Sequence, residues 1–171
     1  APHHPGVRLR ARLGIRPARR THGGIECEVT LAQLWALHLH SRLATRVLVR
    51  ANRFRADGFD TLRNGIRRVD WAAWLAPGTA VRVDATCDRD SKLFHSDAVA
   101  ERVAEAIGHP TGEGASVLVR VQRDVVTVSV DATGVSMHQR GYRQDVAKAP
   151  LRETLAAAVV VASGWARRAP F

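Results

Sequence analysis

Residues 115–131, ASVLVRVQRDVVTVSVD, contain the pattern that decides the fold. Valines recur at every second position on both sides of Arg123-Asp124, and this period of two predicts two half-buried strands. The two residues between the runs predict a tight turn, so the segment is a β-hairpin. The inward-facing residues are expected to be Val117, Val119, Val121, Val126, Val128 and Val130.

Strand and helix patterns alternate upstream of the hairpin. Strands are predicted over Gly24–Val29, Thr45–Phe54 and Val81–Ala85. Three helices are also predicted, each with an apolar face. The first is capped by Thr30 and places Leu31, Leu34, Trp35 and His38 on one face, and the second carries Phe59, Leu62, Ile66 and Val69. The third is capped by Ser96 or Asp97 and carries Val99, Val103, Ala106 and Ile107. The predicted class is α+β, with one unit over 1–55 and another over 56–135.

Residues 136–171 differ from both units. A polar segment, Met137–Lys148, precedes Pro150, which favours a helix N-terminus. The helix that follows, through Leu151–Ser163, is apolar on every side over Ala156–Ala162, and such a helix must be buried. We therefore expect its packing partner to lie outside this sequence, with the chain either truncated or ending naturally at Phe171, and we expect the bare helix to promote self-association.

Composition favours a globular protein. The 171 residues are 46% hydrophobic and 25% charged, and the longest apolar run is too short to span a bilayer. Residues 1–20 contain arginines and no apolar core of a signal peptide, so we expect a cytoplasmic protein. Cys27 and Cys87 are expected to be two buried thiols, with a single disulfide as the alternative.

Charge is unevenly distributed along the chain. Residues 1–55 carry two acids, Glu26 and Glu28, against eleven arginines, whereas residues 56–171 are close to neutral. A basic half favours a polyanionic partner such as RNA; the alternative is a GC-rich genome that encodes Arg in place of Lys. The arginines are Arg8, Arg10, Arg12, Arg16, Arg19, Arg20, Arg42, Arg46, Arg50, Arg53 and Arg55.

Motifs of common catalytic and metal sites are missing from the sequence. It contains no GxGxxG, GxxxxGK[ST], CxxC or HExxH, and His38 and His40 point to different faces of one helix. We therefore assign no catalytic residue and no metal ligand. A dispersed Ser–His–Asp site stays open.

Two loops are candidates for ligand binding. Ser91-Lys92-Leu93-Phe94-His95-Ser96 combines a cation, an aromatic ring and hydroxyls before a helix N-terminus, which fits a phosphate. Alternatively its apolar residues plug the core, and we expect Phe94 to be a plug rather than a stacking platform for a base. Met137–Arg143 places Gly141 between cationic and aromatic residues and is either a ligand loop or a linker.

These segments carry a family resemblance. His138-Gln139-Arg140-Gly141-Tyr142-Arg143 and Ala149–Ala158, with Ser163-Gly164-Trp165, resemble the THUMP-containing bacterial methyltransferases that modify guanine N2 in large-subunit ribosomal RNA. The Ser91–His95 loop with Ala98–Val103 resembles their THUMP domain, and Gly23–Glu28 with Arg46–Arg50 resembles their ferredoxin-like domain. The family's acidic-Pro-x-Cys-Gly-Ser-Gly-Thr loop and Asn-Pro-Pro-Tyr-type loop do not occur here.

The resemblance implies an incomplete ferredoxin-like subdomain (1–55), a THUMP RNA-binding domain (56–135), and a linker with the entry helix of a Rossmann-like methyltransferase domain (136–171). It implies S-adenosylmethionine as cofactor of the parent enzyme but none for this segment, with Arg140, Tyr142, Lys148 and Pro150 at the border of the pocket. The alternatives are a stand-alone THUMP-type RNA-binding protein, an enzyme with an unrecognised site, and a structural basic protein. The expected RNA-binding residues are Lys92, His95, Ser96, Arg46, Arg50, Arg53, Arg55, Arg19 and Arg20.

Overall fold

The computed structural model describes residues 13–15, 19–21, 24–141 and 150–165. The chain divides into two compact units, one comprising Ala1–Arg46 with Val135–Phe171 and the other Val47–Gly134. No helix in the described ranges is long and apolar enough to cross a membrane.

The unit Val47–Gly134 is built on a four-stranded mixed sheet. Its strands are β3 (Leu48–Arg55), β4 (Val81–Cys87), β5 (Ala115–Gln122) and β6 (Val125–Asp131), in the order β3-β6-β5-β4. β6 pairs antiparallel with β3 and β5, whereas β4 and β5 are parallel. The predicted hairpin is therefore confirmed, and it forms the centre of the sheet.

The turn of this hairpin has the geometry that two-residue connections require. Arg123 and Asp124 both have positive φ, 50° and 60°. Such a turn matches the right-handed twist of the flanking strands. Aspartate tolerates this backbone region better than most residues, whereas arginine is strained there. Hydrogen bonds to the neighbouring loop, Ser91–Ser96, hold the turn.

Two helices cover one face of the sheet. α2 (Phe59–Arg67) contacts β3, α3 (Ser96–Ile107) contacts β4, and the two helices contact each other. Leu62, Ile66, Val99 and Val103 are fully buried between them and the inward valines of the sheet. A short 3₁₀ helix, Trp71–Ala73, follows α2. The result is a two-layer unit whose other sheet face carries no helix within this unit.

Gly65 lets α2 approach the sheet closely. A Cβ atom at Gly65 would lie 2.1 Å from the Phe54 ring, far inside van der Waals contact. On the same side of β3, Asn52 Nδ2 donates to the Gly65 carbonyl at 3.0 Å. The helix is therefore pinned to strand β3 at the position where it lacks a side chain.

The described part of the other unit holds two short strands and two helices. β1 (Arg19–Thr21) pairs antiparallel with β2 (Gly24–Glu26), and α1 spans Leu31–His40. Thr30 caps α1 as predicted, through a capping box with Gln33. The predicted apolar face of α1 is largely at the surface, however, because Leu31 and Trp35 are 67% and 63% exposed.

The last helix, α4 (Glu153–Ala162), begins later than predicted. Its N-cap is Arg152, so Pro150 precedes the helix instead of occupying its first turn. None of its residues is buried among the described parts of the chain, and Leu151, Leu155 and Val159 are about half exposed.

The α+β class is confirmed, but the division of the chain differs from the expected one. The boundary predicted after residue 55 is displaced, because β3 pairs with β6 and so belongs to Val47–Gly134. Cys27 and Cys87 are not joined in a disulfide, so the disulfide alternative is wrong; each thiol is half-buried rather than buried as expected.

Candidate nucleic-acid interface

The uncovered face of the sheet in Val47–Gly134 carries arginines from two different strands. Arg53 of β3 is paired with Thr127 of β6, and Thr127 is paired with Arg120 of β5. Paired residues project to the same face of a sheet. At a strand spacing of about 4.8 Å, Arg53 and Arg120 stand about 10 Å apart with a threonine between them.

The next row extends this basic surface to the hairpin turn. Val125 pairs with both Arg55 and Gln122, and Arg123 follows at the turn. Arg53, Arg120, Gln122 and Arg123 line a shallow depression of about 320 Å³. We call Arg53, Arg55, Arg120 and Arg123 the arginine face.

The four guanidinium groups of the arginine face make no ion pair with a residue that the structure describes. Arg82, on β4, is different because it contacts Asp84 at 3.4 Å and Glu113 at 3.3 Å. Unpaired, exposed guanidinium groups on a rigid sheet suit phosphate oxygens, to which they donate in forked pairs.

A polar network attaches the Ser91–Ser96 loop to the hairpin turn. Lys92 N donates to Asp124 Oδ1 at 2.8 Å, and Asp124 N donates to Ser91 Oγ at 3.2 Å. Arg123 N donates to Asp88 Oδ2 at 3.0 Å, and the hydroxyl of Ser91 donates to the same carboxylate. Ser91 is buried. The loop and the Arg123 end of the arginine face are therefore held together as one edge of the unit.

Of the two apolar residues in the loop, Leu93 and not Phe94 is buried in the core. Leu93 is 5% exposed and is the core plug, whereas Phe94 is 51% exposed and its ring lies 4.0 Å from that of His95. The prediction that Phe94 plugs the core is wrong. Adjacent residues of an extended segment point in opposite directions, so only one of the two can face inward.

The Lys92 ammonium group pairs with one carboxylate among the described residues, that of Asp57. Its Nζ lies 3.6 Å from Asp57 Oδ2, with both side chains mostly exposed. A hydrogen bond from its own backbone, followed by the Lys92 charge, lowers the pKa of Asp57. An exposed pair of this kind contributes little to stability and is easily exchanged for another anion.

Ser96 and His95 occupy the start of α3. Ser96 Oγ accepts from Cys87 N at 3.2 Å, so neither Ser96 nor Asp97 caps the helix as predicted; the N-cap is His95, which makes no side-chain cap. Burial is the main cause that raises the pKa of the Cys87 thiol. The hydroxyl of Ser96 thus ties the end of β4 to α3.

The remaining predicted RNA-binding residues are divided between the two units. Arg50 lies on β3 further from the turn and pairs with Ser129, which is buried, so Arg50 is not counted in the arginine face. Arg19, Arg20 and Arg46 belong to the other unit, where Arg19 contacts Glu26 at 3.1 Å. Arg8, Arg10, Arg12 and Arg16 lie outside the described residues.

Arg140, predicted to border a cofactor pocket, contacts the C-terminal end of α1. Its Nη2 donates to the carbonyls of His38 and Ser41, both at 2.8 Å, and Nη1 donates to Leu39 O at 3.1 Å. Nε donates to Met137 O at 3.0 Å. Of the other predicted cofactor residues, Pro150 is exposed, and Tyr142 and Lys148 lie outside the described residues.

Sequence reasoning missed the residues of the interface that come from the hairpin. Arg120, Gln122, Arg123 and Thr127 lie in the part of the chain with nearly balanced charge. The available signal was their alternation with the buried valines, which places Arg120 and Gln122 opposite the core. Within the described ranges, no group of three or more His, Cys, Asp or Glu side chains is placed to hold a metal.

The chain is similar to known methyltransferases. It is 35% identical over 166 residues to ribosomal RNA large subunit methyltransferase K/L of Methylococcus capsulatus, which covers 90% of this chain and 22% of that protein. The chain is homologous to a part of these methyltransferases. It spans about a fifth of the length of the curated relatives it matches. No protein-family model matches it.

Solved structures show the same fold. A predicted N6-adenine-specific DNA methylase from Listeria monocytogenes superposes with a TM-score of 0.81 at 27% identity, over 92% of this chain and 44% of that one. SMU.472, described as a putative methyltransferase complexed with SAH, superposes with a TM-score of 0.79 at 22% identity, over 98% of this chain and 47% of that one. The α+β architecture is therefore shared with larger methyltransferases.

Proposed function

We propose that this chain is the RNA-binding and RNA-positioning module of an S-adenosylmethionine-dependent methyltransferase of large-subunit ribosomal RNA, and that the parent enzyme acts on guanine N2 of 23S rRNA in the cytoplasm. The arginine face carries this proposal: none of its four guanidinium groups has an ion pair to a described residue, and three stand on one sheet face with the fourth at the adjoining hairpin turn. Because the relatives are ribosomal RNA methyltransferases, RNA is the polyanion that such a face would bind.

The domain assignment is part of the same proposal. Val47–Gly134 would be the core of the THUMP domain, and the other unit would contain the ferredoxin-like subdomain together with α4 as the entry helix of the catalytic domain. The exposed apolar side chains of α4, Leu155 and Val159 among them, support this role because an all-apolar helix needs a second layer to cover it.

The chemistry of methyl transfer would belong to the rest of the parent enzyme. Bound S-adenosylmethionine would supply the methyl group there, in keeping with the SAH that SMU.472 holds. This chain's own residues would bind phosphates and fix the orientation of the RNA, since phosphate contacts position a nucleic acid without reading its sequence. We expect this segment alone to bind S-adenosylmethionine weakly or not at all.

Salt dependence of RNA binding tests the proposal. If the four arginines of the arginine face each neutralise a phosphate of single-stranded RNA, log K should fall with log salt at a slope of about −3, taking about −0.7 per contact. Removing two contacts with R53A/R120A should flatten the slope by about 1.4 and weaken binding to all RNA sequences alike.

Arg82→Ala is the matched control, because Arg82 is a sheet arginine whose charge is already paired with Asp84 and Glu113. It should leave the slope nearly unchanged. An R53A/R120A chain that binds with the wild-type slope would refute the assignment of the arginine face.

A further inference from the structure

A second groove runs along the outer edge of β3, which pairs with β6 alone among the described strands. β3 is a terminal strand of the four-stranded sheet of Val47–Gly134, and the groove of about 560 Å³ lies between this edge and α2. Its lining includes Arg53, Asn64, Arg68, Asp70 and Trp74. Arg55 lines the groove as well. Of all the lining residues, Arg53 and Arg55 are the two that also belong to the arginine face.

We propose that this groove binds an unpaired nucleotide of the RNA, with its base stacked on the indole of Trp74 and its phosphate held by Arg68. The proposal rests on the proposed function, since it assumes that the partner is RNA. It adds a site that reads the single-stranded state of that RNA, which the arginine face cannot do.

Trp74 is held in place while its ring stays accessible. Its neighbours Trp71 and Leu75 are 8% and 2% exposed, and Trp71 Nε1 donates to Ile66 O at 3.1 Å. Trp74 N donates to Trp71 O at 2.9 Å, and the Trp74 side chain is 39% exposed in the groove wall. A partly exposed aromatic ring in the wall of a groove suits base stacking, which tolerates every base.

Charge in the groove favours an anionic ligand over an apolar one, and the Trp74 ring favours an anion that carries a base. Three arginines line it, Arg53, Arg55 and Arg68, against the single carboxylate of Asp70. The guanidinium of Arg68 makes no ion pair with a described residue, and the exposed amide of Asn64 has no described hydrogen-bond partner. Arg68 can hold a phosphate, and the Asn64 amide can both donate to and accept from a base edge.

Continuity with the arginine face supports the same occupant. Arg53 lines both the groove and the depression on the uncovered sheet face. A strand of RNA whose phosphates follow the arginine face would therefore reach the groove by crossing β3 at Arg53. Stacking in the groove would then fix the strand that the arginines attract.

The test is titration of the whole chain with a fluorescently labelled ten-nucleotide oligoribonucleotide and with the same sequence in a duplex. Trp74→Ala should weaken single-strand binding by about 5- to 150-fold, the range expected for loss of one stacked base, and should hardly change duplex binding. Trp74→Phe, which keeps an aromatic face, should recover most of the loss. Circular dichroism melting checks that both variants are folded.

Three results would overturn the inference. Wild-type affinity of W74A for the single strand would remove the stacking role, and equal losses for W74A and W74F would make Trp74 merely structural. Poly-glutamate that binds as tightly as the oligoribonucleotide, with no effect of W74A, would assign the groove to an extended acidic peptide at the β3 edge. If R53A/R120A weakens RNA binding while W74A does not, only this inference fails; a wild-type chain that binds no RNA contradicts the proposed function as well.

Discussion

Replacement of Arg140 by alanine should destabilise α1. The guanidinium donates four hydrogen bonds, to the carbonyls of His38, Leu39, Ser41 and Met137, and brings its positive charge to the negative end of the helix. Ser41 is buried, so its carbonyl would lose a partner where water has little access. An orphaned carbonyl costs about 1–3 kcal/mol and a bond to a charged donor contributes about 1.5–3 kcal/mol, without additivity, so we expect a loss of about 2–4 kcal/mol.

Hydrogen exchange is the assay for this change. The amides of α1 should exchange faster in R140A, whereas those of β5 and β6 in the unit Val47–Gly134, which Arg140 does not bond, serve as an internal reference. R140K keeps the charge but cannot fork onto several carbonyls, so it should recover about half of the protection. Unchanged α1 protection in R140A would contradict this stabilising role and leave Arg140 available for the cofactor role that the family resemblance implies.

Leu93→Ala should lower the free energy of unfolding by about 2–5 kcal/mol, and Phe94→Ala by less than about 1 kcal/mol, in urea titrations of the two variants; the reverse order would contradict the observed burial. Gly65→Ala should cost about 1–3 kcal/mol by the same measurement, because the new methyl group overlaps the Phe54 ring, and a neutral effect would mean that α2 shifts freely. Since burial raises the pKa of Cys87, its thiolate fraction at pH 8 is below that of an ordinary thiol, so iodoacetamide should alkylate it slowly in the folded chain and faster in urea or at higher pH. Equal rates in folded and unfolded protein would contradict the last expectation.

Local pattern was sufficient to predict the elements of Val47–Gly134. Alternating valines with two turn-forming residues between them specify the β5–β6 hairpin, and β4 has the same period. In α2, Leu62 and Ile66 fall four residues apart and both are fully buried. Each of these signals depends on neighbours within about ten residues, which is the range that periodicity can resolve.

The arginine face could not be predicted from the same information. Arg53 and Arg120 meet across β6 only because of a register between strands far apart in sequence, shifted by an irregularity between Arg50 and Asn52. A one-residue slip would turn Arg53 to the helix side. The excess of arginine over acidic residues in 1–55 therefore pointed to the arginines of β3. It gave no sign of Arg120 and Arg123, because acidic residues balance the charge of 56–171.

The sequence also could not predict which of two adjacent apolar residues is buried. Composition does not say which of Leu93 and Phe94 faces inward; the direction is set by how the loop is fixed to Asp124 through Lys92 N. The cationic character of Arg140 was equally ambiguous, because a guanidinium serves backbone carbonyls as readily as a ligand. Its partners on α1 lie about a hundred residues away in sequence.

NMR mapping of the RNA contact on the isotopically labelled chain is the decisive test of the arginine face. On addition of a ten-nucleotide oligoribonucleotide at low salt, the arginine face predicts the largest amide shifts at Arg53, Thr127 and Arg120, with those of α3 beyond its first turn unaffected. The shifts should vanish together as salt is raised. Shifts confined to the unit that contains α1 and α4, or no shifts at all, would contradict the account.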